Sequence, residues 1–440
     1  MKIHLVSLGC ARNQVDTESM TGSLSASGHS ITPDAAEAEV IVVNTCSFIE
    51  SAAEESIDTI LALSKLRESG ACRRIVVAGC LPQRYKKDIA ASLPEVDLFL
   101  GTGAFDQIVR AVEETPLAEK CILPDPDSIV LAHNDNLRVL SHPHMAYLKI
   151  AEGCDRHCSY CIIPRLRGRQ KSRPMAHILE EARHLIDSGV KELVLVAQET
   201  TAYGIDLGLK HGLADLLAHL ADISASIWLR VLYGHPESMD DKTIQIMGDI
   251  PNICSYFDIP VQHASDQVLK HMGRRYSEKD LYSLFHGIRQ KVPGASLRTT
   301  LIVGFPGETA ADFETLLSFV ADVKFDHLGV FTYSDADDLP SHRLEGHVPA
   351  EVADARYDAV MSLQLGISEA NNQKFIDETF SVLIEEASED KLFTGRTAFQ
   401  APEVDGLTFV HATDLQPGSF ARVRITDAYE YDLVGEISGR

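Results

Sequence analysis

Short runs of β-branched and aliphatic residues alternate along this chain with longer stretches whose apolar positions recur every three or four residues. Over about the first 135 residues the runs are Ile3–Leu8, Val40–Val43, Arg74–Ala78 and Val96–Leu100. Amphipathic stretches such as Ser51–Ser69 fall between them. This rhythm predicts buried parallel strands covered by helices. Residues 124–144, rich in Pro, Asp, Asn and His, predict a connector.

The same rhythm then returns six times. Ala146–Ile150, Glu192–Ala197, Ile227–Leu232, Tyr256–Pro260, Arg298–Val303 and His327–Thr332 predict strands, with helices such as Met175–Asp187, Lys279–Lys291 and Ala310–Ala321 between them. Six units are too few to close an eight-stranded barrel and predict an open, partial β/α barrel. In such barrels the chemistry sits at the C-terminal ends of the strands. A long helical pattern, Ala350–Ile376, ends the series. After it come short alternating strands at Phe380–Glu385, Leu392–Ala398, Thr408–Val410, Ser419–Thr426 and Leu433–Ile437. They predict a small antiparallel β-barrel, an architecture often used for recognition. The expected class is therefore α/β, in three domains: an N-terminal parallel-sheet domain (1–135), a partial six-unit barrel (145–373) and a C-terminal β-barrel (377–440).

Composition narrows this only slightly. With 440 residues, 45% hydrophobic and 24% charged, the chain has the balance of a soluble globular protein. No apolar run approaches the roughly 20 residues that span a membrane. Met1–Cys10 carries one lysine and an apolar stretch too brief for a signal-peptide core, so a cytoplasmic, reducing location is expected. There, nine cysteines point to ligand or redox roles over disulfides. The net charge of −24 disfavours direct nucleic-acid binding as the dominant interaction and favours a basic protein partner, although acidity also simply keeps a chain soluble. The C-terminal segment shares the bias, with 13 acidic and 5 basic residues from 377 to 440.

The candidate chemistry lies in the cysteines. Cys154, Cys158 and Cys161 form C-x3-C-x2-C directly after a predicted strand. Three thiolates at this spacing can hold three irons of a cubane cluster and leave the fourth open to a substrate group. A zinc site with His157 as fourth ligand is the competing reading. Cys10, Cys46 and Cys80 each end a strand, 36 and 34 residues apart, about one strand–helix–strand repeat. Parallel strands bring their C-termini to one edge, so these three thiols should converge as a second open cluster site; three buried core cysteines are the alternative. Cys72, Cys121 and Cys254 fit neither pattern and are assigned to core or surface.

Weaker candidates surround them. Leu301–Thr309, containing Gly304, could bring backbone close to a ribose or methionine moiety, or simply turn into a helix. Arg165–Arg173 alternates basic residues past the first cysteine set, either for a cofactor carboxylate or substrate or as a solvated strand. Tyr160 precedes the last cysteine, Gln198 ends a strand at the expected barrel mouth, and Gln262 and His263 follow another.

Together these residues resemble the methylthiotransferase family of radical S-adenosylmethionine enzymes. The motifs are G-C-x-x-N at Gly9–Asn13, N-T-C at Asn44–Cys46, G-C-x-P-Q at Gly79–Gln83, the cluster motif A-E-G-C-D-R-H-C-S-Y-C, and S-R-P at Ser172–Pro174. The cluster region and Gly395–Gly406 are similar to the subgroup acting on a ribosomal protein (the RimO type). The resemblance implies two 4Fe-4S clusters, S-adenosyl-L-methionine, an electron donor and a TRAM-type C-terminal barrel. Tyr160, which fits the superfamily's aromatic position, and Gln198 and Gly304, by their placement, are the candidate cofactor contacts. The resemblance also implies the order of events: an electron from the cluster on Cys154, Cys158 and Cys161 cleaves the cofactor, the resulting radical takes hydrogen, and sulfur follows from the cluster on Cys10, Cys46 and Cys80. A second S-adenosylmethionine gives the methyl group. The substrate implied is an aspartate β-carbon in the twelfth small-subunit ribosomal protein, free or in the assembled subunit. A transfer-RNA methylthiotransferase and a non-catalytic metal-binding scaffold are the alternatives.

Overall fold

The protein is described by a computed structural model covering residues 1–114, 119–129, 138–388 and 391–438. In the N-terminal domain β1 (Lys2–Ser7), β2 (Ser30–Ile31), β3 (Val40–Thr45), β4 (Arg74–Gly79), β5 (Leu98–Leu100) and β6 (Cys121–Ile122) form one parallel sheet in the order β2-β1-β3-β4-β5-β6. Every residue of β3 and β4 is buried, because helices cover both faces; hence their near-continuous aliphatic runs. One face packs around Ile3, Val42, Val76 and Leu100, the other around Ile41, Val43, Val77 and Phe99. The edge strands β2 and β6 are two residues each, too short to leave a periodic signature. Part of the expected connector, residues 130–137, lies outside the described residues; the described part holds a single 3-10 turn at Pro126–Ser128.

The central domain has the six expected parallel strands: β7 (Met145–Lys149), β10 (Glu192–Val196), β11 (Trp228–Val231), β12 (Tyr256–Asp258), β13 (Ser296–Val303) and β14 (His327–Thr332). They form two three-stranded sheets, β7-β10-β11 and β12-β13-β14, linked by a parallel bridge between Leu229 and Ile253. A two-residue hairpin, β8 (Ala151–Glu152) with β9 (Lys171–Ser172), flanks the first cysteine loop. In β13 burial alternates: Leu297, Thr299, Leu301 and Val303 pack outward under the helices, while Arg298, Thr300 and Ile302 face the barrel interior. The closing helix runs Ala350–Asn372.

The C-terminal strands β15 (Thr379–Ala387), β16 (Leu392–Thr397), β17 (Thr408–His411), β18 (Phe420–Ala428) and β19 (Leu433–Ile437) close a barrel in the order β15-β16-β17-β19-β18. Its pairings are antiparallel except β17 with β19, which are parallel. The three domains share a core in which Ala11 and Val15 meet Tyr147, Trp228 and Tyr256, and these meet Leu383 and Ala401. Beside it Glu192, wholly buried, accepts from Arg230 at 2.7 Å and from Arg396 of the C-terminal barrel at 2.6 Å. Removing Glu192 would strand the buried Arg230 and release Arg396 from the central domain, so this triad fixes how the barrel sits.

Candidate active site

Gly9 and Gly79 make the sharp turns that follow β1 and β4. Their φ angles, 93° and 99°, belong to the left-handed region that glycine enters without steric cost. A Cβ on Gly9 would lie 2.6 Å from the Cys46 Cβ, and one on Gly79 2.5 Å from the Asn44 Oδ1. The turns leave Cys10 and Cys80 at the start of their helices, while Cys46 follows β3 directly. Asn13 ties the loops together, donating through Nδ2 to the Leu8 and Thr45 carbonyls at 2.9 Å each. Since β1, β3 and β4 are neighbours, the three thiols reach one edge of the sheet.

That edge faces the barrel mouth. Cys10, Cys46, Cys80, Cys154, Cys158 and Cys161 all line one cavity of about 950 Å³, together with Tyr160 and Gln198. The other cysteines lie elsewhere: Cys72 and Cys254 are buried in cores and Cys121 is half-buried in β6. A second cavity, about 670 Å³ between the N-terminal and central domains, contains no cysteine. Among the described residues no three His, Cys, Asp or Glu side chains are grouped closely enough to hold one metal ion. A cubane, whose irons occupy separate corners, spreads its thiolates wider than a single ion does, and two sets of three thiols suit it.

The thiols differ electrostatically. Burial works to raise the Cys10 thiol, yet the Arg12 and Arg167 guanidiniums draw it below its ordinary value. Burial pushes Cys80 and Cys154 up to about 11 and Cys161 up to about 12. Ligation of metal would therefore release protons from most of these groups. Arg167, almost wholly buried, donates to Asp16 at 2.8 Å, Glu152 at 3.3 Å and Asn13 Oδ1 at 2.5 Å, and approaches the Cys80 Sγ at 3.8 Å. Glu152 in turn accepts from Gln198, whose Oε1 is buried with no partner among the described residues. A buried polar chain thus runs from one cysteine set to the barrel mouth.

Beside the other set, Arg274 donates to the Tyr160 hydroxyl at 2.6 Å and to His235, and its Nε has no partner among the described residues. Burial and Arg274 hold His235 far below its usual range, at about 2, so it stays neutral. The backbone amide of Arg156 donates to the Cys154 Sγ at 3.4 Å, and its side chain grips Glu199 at 2.7 and 2.8 Å. The orphaned Gln198 acceptor and Arg274 donor suit a polar cofactor beside the radical-domain thiols.

The other sequence candidates divide. Gln262 lines the cavity, whereas His263 is fully buried beneath it and accepts from the Ser265 amide at 2.9 Å. Gly304 is not among the lining residues: its amide donates to Glu308 at 2.5 Å, and the loop is a tight turn into the helix Ala310–Val323. Of Arg165–Arg173 only Arg167 lines this cavity. Arg12, Arg274, Tyr233 and Asp258 also line it, and no sequence motif singled them out. Asp258 alone left a trace, as a charge within the apolar run Tyr256–Pro260.

Residues 2–101 match an uncharacterized protein family (UPF0004), residues 148–320 the radical SAM superfamily and residues 376–437 the TRAM domain. A ribosomal protein uS12 methylthiotransferase RimO from Desulfosudis oleivorans is 55% identical, over 99% of this chain and all of that protein. The same-named protein of Clostridioides difficile is 47% identical over 99% of both. Among solved structures the radical S-adenosylmethionine methyltransferase TsrM from Kitasatospora setae shares the fold with a TM-score of 0.56 at 13% identity, over 78% of this chain and 75% of that one. The cobalamin-dependent enzyme OxsB does so at 0.53 and 12%, over 82% and 56%. With identity this high over its whole length, the chain belongs to the RimO family of ribosomal protein uS12 methylthiotransferases.

Proposed function

We propose that this chain is a radical S-adenosylmethionine methylthiotransferase that places sulfur and a methyl group on the β-carbon of an aspartate in ribosomal protein uS12. Its cofactors are S-adenosylmethionine and two 4Fe-4S clusters, one held by Cys154, Cys158 and Cys161, the other by Cys10, Cys46 and Cys80. The observation that carries this reading is the shared cavity: six cysteines from two domains, three and three, open onto one space. When bound, the clusters and S-adenosylmethionine supply the electron, the hydrogen-abstracting radical, the sulfur and the methyl group, chemistry no side chain offers at an unactivated carbon.

The chain's own residues bind, orient and shield. Tyr160, held by Arg274, and Gln198, held by Glu152, form the wall on the S-adenosylmethionine side. Gly304 is kept on that side only as the neighbour of Phe305, whose ring meets the Tyr160 ring edge-on at 6.2 Å. The domain division 1–135, 145–373 and 377–440 assigns the second cluster to the first domain, cofactor cleavage to the middle one and substrate recognition to the barrel.

The cavity mouth supports a protein substrate. Phe48, Tyr85, Phe331 and Val404 line it and are all exposed, drawing on all three domains. Exposed apolar side chains gathered at a cavity mouth mark a docking rim. The acidic C-terminal barrel complements a basic ribosomal protein and would repel transfer RNA. Such a substrate, and the electron donor the reaction needs, place the work in the cytoplasm; no described helix is long and apolar enough to cross a membrane.

The test uses protein reconstituted with iron and sulfide without oxygen, then given S-adenosylmethionine, a reductant, and either isolated uS12 or total transfer RNA. Mass spectrometry should find a methylthio group on one uS12 aspartate and none on the RNA. Modification of the RNA alone would replace this reading with the transfer-RNA one.

A further inference from the structure

Six arginines line the cavity, and their partners differ. Arg84 pairs with Asp338, Arg156 with Glu199 and Glu237, Arg167 with Asp16 and Glu152, and Arg298 with Asp258. Arg12 and Arg274 have no carboxylate among the described residues. Arg274 donates to Tyr160 and His235 and keeps its Nε without a partner among the described residues, but it lies beside the radical-domain cysteines, away from Cys10.

Arg12 is held differently. It lies in the first turn of the helix Ala11–Ala26, two residues past Cys10, and reaches across to the barrel. There it donates from Nη1 to the carbonyl of Ala197, at the end of β10, at 2.8 Å. Its guanidinium lies 4.4 Å above the Tyr233 ring, which fixes the plane of the fork. Its charged neighbours are the Cys10 thiol and the like-charged Arg167. A guanidinium offers five N–H donors, and beyond the Ala197 carbonyl and the Cys10 thiol this half-buried one keeps donors for a ligand. This cation therefore stands where the two cysteine sets face each other, clamped in orientation and open to the cavity.

We propose that Arg12 receives the side-chain carboxylate of the target aspartate. The inference rests on the function proposed above and follows from the substrate's covalent structure. The modified β-carbon is bonded directly to the carboxylate carbon. If sulfur reaches that carbon from the site on Cys10, Cys46 and Cys80, the carboxylate comes to rest on the Cys10 side of the cavity, where Arg12 is the cation with no carboxylate among the described residues. The fork then fixes which β-hydrogen faces the cofactor side, and it selects aspartate over asparagine. A transfer-RNA adenine carries no anion at the corresponding carbon.

The experiment measures binding of the reconstituted full chain to uS12 and to uS12 with its target aspartate replaced by asparagine. The parent should bind the aspartate form about 10- to 100-fold tighter, the range of a charge-assisted hydrogen bond. Arg12→Gln should shrink that ratio to about twofold, and Arg12→Lys should keep most of it. Iron and sulfide per chain should stay at the parent's level in both variants. An unchanged ratio in Arg12→Gln overturns the proposal. So does loss of the ratio together with loss of iron in both variants, which would assign the charge to the cluster. A parent that modifies uS12 without distinguishing the two forms overturns this proposal alone, whereas a parent that neither binds nor modifies uS12 overturns the function with it.

Discussion

Replacing Arg167 by methionine keeps most of the side-chain volume and removes the charge from the chain of groups that joins the N-terminal domain to the barrel. Asp16 and Asn13 belong to the helix Ala11–Ala26, Glu152 and Lys149 to the barrel. Arg167, Asp16 and Glu152 are 3%, 4% and 9% exposed, so solvent cannot replace the lost partner. Breaking one side of a buried ion pair costs about 3–5 kcal/mol. Lys149 still reaches Asp16 at 2.5 Å and Glu152 at 2.9 Å, which argues for the lower end of that range. A loss of about 3 kcal/mol corresponds to a little over a hundredfold in an opening equilibrium. Amides in the buried turn around Met20 and Leu24 should therefore exchange with deuterium about a hundredfold faster in Arg167→Met than in the parent. Arg167→Lys, which keeps the charge without the fork, should show a smaller increase. The exposed pair Lys2–Glu37 sets the contrast: Lys2→Ala should change exchange by less than about fivefold. Exchange in Arg167→Met within twofold of the parent would refute the claim that this arginine holds the two domains together.

Three other outcomes follow from the same geometry. Gly79→Ala forces a Cβ onto Asn44 and Thr45 at a positive φ, at a cost of about 1–2 kcal/mol before the clash, so iron uptake should fall by about half while the radical-domain cluster persists; uptake equal to the parent would show that the turn tolerates a side chain. Despite burial, Glu181 and Glu192 are held below the ordinary carboxylate range, by Arg173 with Arg138 and by Arg396 with Arg230. A carboxyl depressed on folding stabilises the protein fully above its unfolded value near 4.5 and loses that contribution as pH falls through the lower folded value. Thermal midpoints should thus hold from pH 7 to about 5 and drop below about 4, and the drop should lessen in Glu181→Gln, whose midpoint at pH 7 is already reduced. At the cavity rim, Phe331→Asp or Val404→Asp should weaken uS12 binding by about tenfold or more without lowering iron content; unaltered affinity would place docking elsewhere.

The two cysteine sets were legible because each follows from a local rule. C-x3-C-x2-C is a loop motif readable by itself, and Cys10, Cys46 and Cys80 each end an apolar run. Their convergence needed β1, β3 and β4 to be neighbours, which parallel strand–helix–strand connections favour. Partner choice was not legible. Nothing local distinguishes Arg12, with no carboxylate among the described residues, from Arg84, whose partner Asp338 lies 254 residues away. The contact of Val404 with the cavity and the 2.6 Å bond from Tyr256 to Asp405 likewise cross between domains. Gly304 illustrates the limit of motif reading. Two glycines and a proline after a strand suit a cofactor loop, yet Glu308 claims the Gly304 amide and the loop becomes a helix entry. The parallel pairing of β17 with β19 also escaped, since alternation reveals a strand's faces and not its neighbour's direction.

The proposed function stands or falls with two iron–sulfur sites of three thiolates each in one cavity. Iron and acid-labile sulfide per chain, measured on protein reconstituted without oxygen, test it most directly. Two such sites give about eight of each, falling to about four when Cys10, Cys46 and Cys80 are all replaced by alanine. About four irons in the parent would remove the second site and the route for sulfur; zinc without sulfide would contradict both.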